Sequence, residues 1–292
     1  MTIPDKAKKY GTHLLWSVVR FVIILGLCYL ILYPFFIKIV NGFKDYADFL
    51  DPTVRFIPKH FTWNTLLRVA DKLNYGNTLF NTAMLSLGIA LLTTAVSSFI
   101  AYGFARFSFK GSGVLFFAVI FTLIVPPQTV IIPLFLRFRF FAGFLNLLDT
   151  PFPVVILALT GLSLKNGLYI FMLRQFYRNL PKELEEAAYL DGYGAFNTYF
   201  RVILPSAKTI LVTVFLLSLS WEWTDTVYNP LFFQDIKIFA NMLQLVGSGE
   251  VPVMSANMVN VAALMAIFPL AIIYIIAQKA FVQSVERAGI VG

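Results

Sequence analysis

Six long apolar stretches recur along the 292-residue chain, at about 14–40, 78–105, 113–136, 152–176, 207–233 and 258–282. Each is long enough for one tilted crossing of a bilayer, which takes roughly 20 helical residues. The pattern predicts an all-α integral membrane protein with six transmembrane helices, and residues 1–292 read as a single transmembrane domain. The first run is too long for a cleavable leader and shows no small-residue cleavage pattern before Lys38, so it reads as a signal anchor behind a short N-terminal segment, 1–13.

One segment between the fourth and fifth runs breaks the pattern. Residues 179–205 are charged and tightly punctuated, and their spacing predicts two short helices, neither long enough to span a bilayer. Pro181 suits a first helical position, where no amide donor is needed, and Glu183, Glu185 and Glu186 put negative charge at the positive end of the macrodipole. Gly192 suits the stop, because it takes the left-handed conformation without strain. Spacings of three and four put Leu184, Ala187, Ala188 and Asp191 on one small, smooth face. A second helix from about Ala195 would carry Phe196, Tyr199, Phe200 and Ile203 on an apolar stripe and end before Pro205. The same spacing also fits an ordinary amphipathic loop.

Composition agrees with the membrane reading: 59% of residues are hydrophobic and 13% charged, against roughly 25% charged in soluble domains. Lys6, Lys8 and Lys9 favour a cytoplasmic N-terminus, and six spans then return the C-terminus, the 106–112 loop and the 179–205 segment to the same side. Arg106, Lys110, Arg174, Arg178, Lys182, Arg201, Lys208, Lys279 and Arg287 agree with that topology, while Lys44, Arg55, Lys59, Arg68, Lys72, Arg137 and Arg139 fall on the presumed outer side. The net charge of +8 is scattered between spans, which argues against a nucleic-acid partner. Cys28 has no internal partner for a disulfide and reads as a small buried hydrophobe. His13 and His60 lie too far apart to suggest a metal site.

Inside the spans, Pro126-Pro127-Gln128 followed by Ile132-Pro133-Leu134 predicts a kinked or broken third helix, and Pro269 a milder kink in the sixth. Broken helices are tolerated at membrane depth where freed backbone groups face protein or a water-filled cavity, so a translocation path is one reading and a plain structural kink the other. Ala83, Ser86, Gly88, Ala90, Ala95, Ser97, Ser98, Ala101 and Gly103 make the second run a close-packing interface. Lys165, Glu222 and Asp225 are ionisable residues within apolar runs, and such residues are costly in lipid. Trp221, Trp223 and Tyr228 suit an interfacial belt or stacking on sugar faces, while Asp225 suits a polar cavity wall.

Glu186-Ala187-Ala188, three residues, Gly192, nine residues, Val202, one residue and Leu204-Pro205 resemble the EAA loop of inner-membrane permeases in ATP-binding-cassette importers; Val202 stands where that family usually has isoleucine. Ala101-Tyr102-Gly103-Phe104-Ala105-Arg106-Phe107, Pro126-Pro127-Gln128 and Ile132-Pro133-Leu134 look like the second-to-third-span region of carbohydrate-uptake permeases related to the smaller maltose-transporter permease. Asn81-Thr82 and Ala187-Ala188-Tyr189-Leu190-Asp191-Gly192 fit the same subgroup. Two positions depart from it: the tail Glu286–Gly292 lacks the usual lysine before its last glycine, and Thr224 replaces a common Asn after Trp223.

The resemblance implies a bacterial inner-membrane permease subunit moving a carbohydrate, an oligosaccharide, by alternating access. It implies a heterodimer with a second homologous permease, two ATP-binding-cassette ATPase subunits and an extracytoplasmic solute-binding protein. It assigns ATPase coupling to Glu186, Ala187, Ala188, Asp191, Gly192, Leu204 and Pro205; Pro126, Pro127, Gln128, Trp223, Asp225, Tyr228 and Lys165 are the candidate pathway or gate residues. No G-x-x-x-x-G-K-[ST] phosphate loop occurs in the chain, so no cofactor is expected on it; ATP and Mg belong to the partner ATPase. An ion-coupled secondary transporter would also use broken helices, but no internal inverted repeat is evident. A membrane-embedded enzyme would need a metal motif or nucleophile elbow, and neither occurs. Lys59, Arg68, Arg137, Arg139 and Lys165 would suit an acidic oligosaccharide such as a uronate polymer; a neutral one fits the family at least as well.

Overall fold

A computed structural model describes the backbone of residues 3–289 and the side chains of residues 15–279. The side chains of the N-terminal lysines and of the 286–292 tail lie outside the described residues. The chain runs through helices α1 (Ile3–Gly42), α2 (Tyr46–Leu50), α3 (Asn64–Leu73), α4 (Tyr75–Arg106), α5 (Ser112–Phe121), α6 (Ile131–Arg139), α7 (Phe152–Leu159), α8 (Asn166–Asn179), α9 (Glu183–Leu190), α10 (Ala195–Thr198), α11 (Leu204–Ser206), α12 (Lys208–Trp223), α13 (Tyr228–Phe232), α14 (Phe239–Leu245) and α15 (Pro252–Gly289).

The apolar runs are not all continuous helices. Three spans pass by length and composition, Leu15–Gly42, Tyr75–Arg106 and Pro252–Lys279, and a fourth forms if Ala195–Ser206 and Lys208–Trp223, bent by 79°, count together. The third run breaks where the prolines predict, though it leaves the helix already at Thr122 and resumes through a 3-10 turn at Pro127–Thr129. Two adjacent prolines supply no amide donors, and the first holds Val125 away from the helical region. Pro133 does not extend the break: it lies in the first turn of α6, where a missing donor costs nothing. The mild kink expected at Pro269 does not interrupt α15, which is helical through that residue.

The fourth run contains a break that its hydropathy does not show. Gly161, at φ +72°, sends its amide to Ala158 O (3.2 Å), and Leu162 sends its own to Leu157 O (2.8 Å). That 5→2 and 6→1 pair is a Schellman stop, which requires a left-handed residue. Lys165 is left-handed as well, at φ +60°, and opens α8. The fifth run ends at Trp223 rather than 233, and α13 is a separate short helix.

The described chain divides into two compact units. One holds the residues up to Leu73 together with Val246–Met265. Polar ties order its loop: the buried Lys44 ammonium donates to Val54 O (2.9 Å) and Arg55 O (3.1 Å), and the Asp48 carboxylate accepts from the His60 amide (3.0 Å) and meets His60 Nδ1 at 2.8 Å. Burial lowers the Lys44 pKa, partly offset by Asp48. Burial pushes the Asp48 carboxyl upward, but the hydrogen bonds from His60 outweigh it and leave it below its usual value. Arg68 (2.6 Å) and Lys72 (2.7 Å) both bind the Glu250 carboxylate. Along α1, every side chain from Leu15 to Phe36 is exposed, Cys28 included, so Cys28 is not the buried hydrophobe expected of it.

The second unit, Asn74–Leu245 with the chain from Ala266 onward, is organised on α4. This helix packs against α8, α12 and α7. Ser86, Ala90, Ser97, Ser98 and Ala101 are buried, as the small-residue pattern predicts, whereas Gly88 and Ala95 face outward. One apolar cluster joins Ala101 and Tyr102 to Tyr169, Leu173, Tyr199 and Val214; another joins Ile89 to Phe138, Leu157, Phe232 and Phe233.

Candidate functional site

The 179–205 segment forms a short helix, a tight stop and a corner. α9 covers Glu183–Leu190, two residues shorter at its start than Pro181 suggests, with Glu183, Glu185 and Glu186 in its first turn. Gly192 sits at φ +84°, its amide bonded to Tyr189 O (3.0 Å) and the Tyr193 amide to Ala188 O (2.9 Å). These two bonds complete a Schellman stop at the expected residue.

The faces differ from those the spacing suggests. Glu185 and Ala188 turn inward, at 8% and 3% exposure, while Leu184, Glu186, Ala187, Leu190, Asp191 and Gly192 face out. Ala187 and Ala188 therefore do not share one docking face. Leu190 is 89% exposed, an apolar side chain at the tip of a charged loop. Of the second helix, Tyr199 and Ile203 are buried, whereas Phe196 and Phe200 are exposed, so the expected single stripe is split. Pro205 does not end that helix. A π turn over Tyr199–Ile203 precedes it, and the chain continues helically to Ser206. The wider turn accommodates a residue that lacks its amide and whose ring would clash with the carbonyl four residues back. Leu204 is half-buried and Pro205 exposed.

Two polar residues of α4, Arg106 and Ser98, anchor this segment through contacts that local spacing does not reveal. Arg106 Nε lies 3.2 Å from Glu185 Oε1, both side chains nearly buried, and Arg106 Nη2 donates to Leu180 O at 2.8 Å. The buried Ser98 hydroxyl lies 2.6 Å from the Tyr177 hydroxyl and 2.7 Å from that of Tyr199. Arg106 also sits in the last turn of α4 and Glu185 in the first turn of α9, so each complements its own helix dipole. The sequence signal was the lone arginine closing a long apolar helix; its partner is distant in sequence and was not deducible.

A cavity of about 360 Å³ lies in the same unit, lined by Pro126, Pro127, Val130, Gly161, Ser163, Lys165 and Tyr228, among others. Residues at the breaks in the third, fourth and fifth runs thus meet at one place. Gln128 is exposed and does not line it. The Lys165 ammonium stands over the Trp221 ring, 4.9 Å from its centroid. Asp225 is no open cavity wall: it is buried, and its carboxylate accepts the amides of Val227 (2.9 Å), Tyr228 (3.0 Å) and Asn229 (2.6 Å), which opens α13. Trp223 is no belt residue either, being 5% exposed with Nε1 donating to Ala266 O at 2.9 Å. Glu222 is buried and accepts from Ser163 Oγ (3.0 Å). Of the basic residues suited to an acidic sugar, Lys59 and Arg68 already pair with Asp51 and Glu250, whereas Arg137 and Arg139 are exposed.

Interrupted apolar helices around a cavity, with an exposed short helix fastened to an unbroken one, define a helical membrane transport subunit. Comparison with known proteins narrows this. The family of binding-protein-dependent transport system inner membrane components matches residues 94–287, and the chain belongs to it. It is thus a multi-pass inner-membrane permease subunit of a binding-protein-dependent ABC importer, a transport component rather than an enzyme. Among its relatives is the melibiose/raffinose/stachyose import permease protein MelC of Bacillus subtilis (strain 168), 27% identical over 260 residues, 89% of this chain and 91% of that one. Another is the probable starch degradation products transport system permease protein AmyC of Thermoanaerobacterium thermosulfurigenes, 26% identical over 262 residues, 86% and 89% of the two chains. The fold is that of a chain from a bacterial ABC transporter involved in the import of the acidic polysaccharide alginate, with a TM-score of 0.71 over 96% of this chain and 99% of that one, at 23% identity.

Proposed function

We propose that this permease imports a carbohydrate, an oligosaccharide, by alternating access, with α9 as the helix that receives the ATPase. The observation that carries the coupling role is the build of the 179–206 segment: Glu186, Ala187, Leu190, Asp191 and Gly192 present an exposed surface, while Glu185 and Ala188 anchor it inward. Such a helix docks in an apolar cleft through Leu190, with Glu186 supplying a charge-assisted contact, and moves as a body because its stop is rigid. ATP and Mg reside on two partner ATPase subunits, whose closure favours the outward-facing arrangement and whose hydrolysis restores the inward one. The names of the relatives, import permeases for melibiose, raffinose and stachyose or for starch products, support a carbohydrate cargo.

In this reading the chain crosses the membrane six times, with both termini and the 179–205 segment in the cytoplasm, and the broken third, fourth and fifth runs count as one crossing each. The exposed apolar surface of α1 meets lipid and a second, homologous permease. Pro126, Pro127, Lys165 and Tyr228 line the path, while Trp223 and Asp225 hold its wall in place. An extracytoplasmic binding protein delivers the sugar. The test is reconstitution of this chain with its partner permease, ATPase and binding protein, followed by ATP hydrolysis with raffinose, a maltooligosaccharide or an alginate oligosaccharide. Stimulation by raffinose or the maltooligosaccharide marks a neutral cargo and stimulation by the alginate oligosaccharide an acidic one. An assembly that recruits no ATPase, or that none of these sugars stimulates, defeats the proposal.

A further inference from the structure

The second unit contains an unbroken helix tied near one end to the 179–206 segment and near the other to the 233–239 segment. α4 has 32 residues, about 48 Å at 1.5 Å per residue, and no interior proline. Its neighbours α5, α7, α8 and α12 belong to runs that all break. At one end, Ser98, Tyr102 and Arg106 follow each other at intervals of four, one above the other on a single face. That face meets the 179–206 segment at every step. Ser98 reaches the Tyr199 hydroxyl, the Tyr102 ring lies 5.0 Å from that of Tyr199, and Arg106 holds Glu185 and the Leu180 carbonyl.

At the other end, Asn81 Nδ2 donates to Lys237 O (3.0 Å), and Thr82 Oγ1 accepts the amide of Phe239 (3.1 Å). Beside those ties, Leu85 and Ile89 of α4 line an apolar groove of about 320 Å³ together with Phe233, Ile236 and Ile238.

We infer that α4 is the rod that carries movement of the ATPase-docking segment to the 233–239 segment, and that the Arg106–Glu185 pair is the positioning contact that makes the two move together. This rests on the docking role given above to α9. A helix with an intact hydrogen-bond ladder transmits a displacement along its length, whereas a run interrupted by left-handed residues or prolines bends at the break. A nearly buried guanidinium–carboxylate pair favours one geometry, because separation leaves the Glu185 carboxylate without its countercharge and Arg106 with only the Leu180 carbonyl. Removing either partner takes away the charge pair between α9 and α4 and leaves the 179–206 segment held by uncharged contacts such as those of Ser98 and Tyr102 with Tyr199.

The experiment uses the full complex with partner permease and ATPase, reconstituted in nanodiscs. This chain carries Cys28→Ser, which removes its only cysteine, and the reporter Ile236→Cys, and labelling by a fluorescent maleimide is timed without nucleotide and with ATP-vanadate. In the parent, trapping the nucleotide changes the labelling rate. In Arg106→Gln and Glu185→Gln that change falls roughly tenfold, within the usual span of coupling between sites, while the ATPase remains bound. The reversed pair Arg106→Glu with Glu185→Arg restores most of it, a rescue that a mere packing role would not give. Single variants that retain the full nucleotide-dependent change overturn the inference, as does a parent that shows none. If a single variant fails to assemble, the reversed pair decides: restored assembly and response support the inference, and failure of either overturns it. Leu190→Asp separates the two readings. If it detaches the ATPase while the charge variants respond normally, only the role of α4 falls; if it changes nothing, the docking role of α9 falls.

Discussion

The Gly192 stop can be tested with little ambiguity, because the space around it is empty. A Cβ built there meets nothing within 4 Å, so a substitution acts in this chain through the backbone alone. At φ +84° a residue with a side chain costs about 1–2 kcal/mol relative to glycine, less for asparagine, which tolerates the left-handed region. The strain is relieved by opening the Gly192–Tyr189 and Tyr193–Ala188 bonds, which unwinds the end of an eight-residue helix. One to two kcal/mol shifts that local equilibrium by roughly 5- to 30-fold. Hydrogen exchange at the Tyr193 amide is therefore expected to quicken by about that factor in Gly192→Val and by much less in Gly192→Asn.

The functional readout should follow the same order. In the reconstituted complex, sugar moved per ATP hydrolysed falls in Gly192→Val and stays near the parent value in Gly192→Asn, with membrane insertion unchanged in both. Matching exchange rates in the parent and Gly192→Val would refute the backbone argument. Equal loss of coupling in both variants would show instead that the partner's surface, and not the left-handed turn, demands glycine.

Other perturbations test the scaffold. Asp225→Ala leaves three amides without their acceptor, that of Asn229 buried and the other two half-buried, and should destabilise the detergent-purified protein by about 1–3 kcal/mol, with Asp225→Asn milder; thermal melting compares them. Gly167→Ala places a Cβ 2.5 Å from Thr122 Oγ1 and 2.7 Å from Val119 O, so α8 must move off α5, and a loss of about 1–3 kcal/mol by the same assay is expected. The Glu250 carboxyl is held below its usual 4.5 chiefly by the hydrogen bond from Lys72, with Arg68 adding its charge. A depressed pKa stabilises the fold above the ordinary value and loses its effect as pH falls through the folded one. The difference in melting temperature between the parent and Glu250→Gln should be complete at neutral pH and shrink only below about 4.5.

What was legible in the sequence was local. Gly192 and the Pro126-Pro127 pair announce themselves because backbone freedom and a missing donor act within a few residues. The same chemistry at Gly161 went unread, since a glycine inside a uniformly apolar run resembles the packing glycines beside it and only the structure shows its left-handed turn. Faces were harder. Spacing groups Ala187 with Ala188, yet Glu185 turns α9 inward, and its partner Arg106 lies 79 residues away. No local rule connects them. Charge misled for the same reason: Lys59 and Arg68 look available until Asp51 and Glu250 are placed beside them.

Hydropathy reports which surface a segment must bury, not whether its hydrogen-bond ladder is continuous. That distinction explains why six apolar runs yield three continuous long helices among the described residues. A broken run at membrane depth must satisfy the groups it frees, and each break carries the means. Thr129 Oγ1 bonds Pro126 O at 2.7 Å in the third run, the Gly161 stop closes α7 in the fourth, and Asp225 collects three amides in the fifth. Residues of all three breaks then line one cavity. Independent structural kinks have no reason to meet, whereas a path through the bundle needs polar backbone and small residues at one place. The convergence of the breaks therefore favours a pathway over the plain-kink reading that the prolines alone left open.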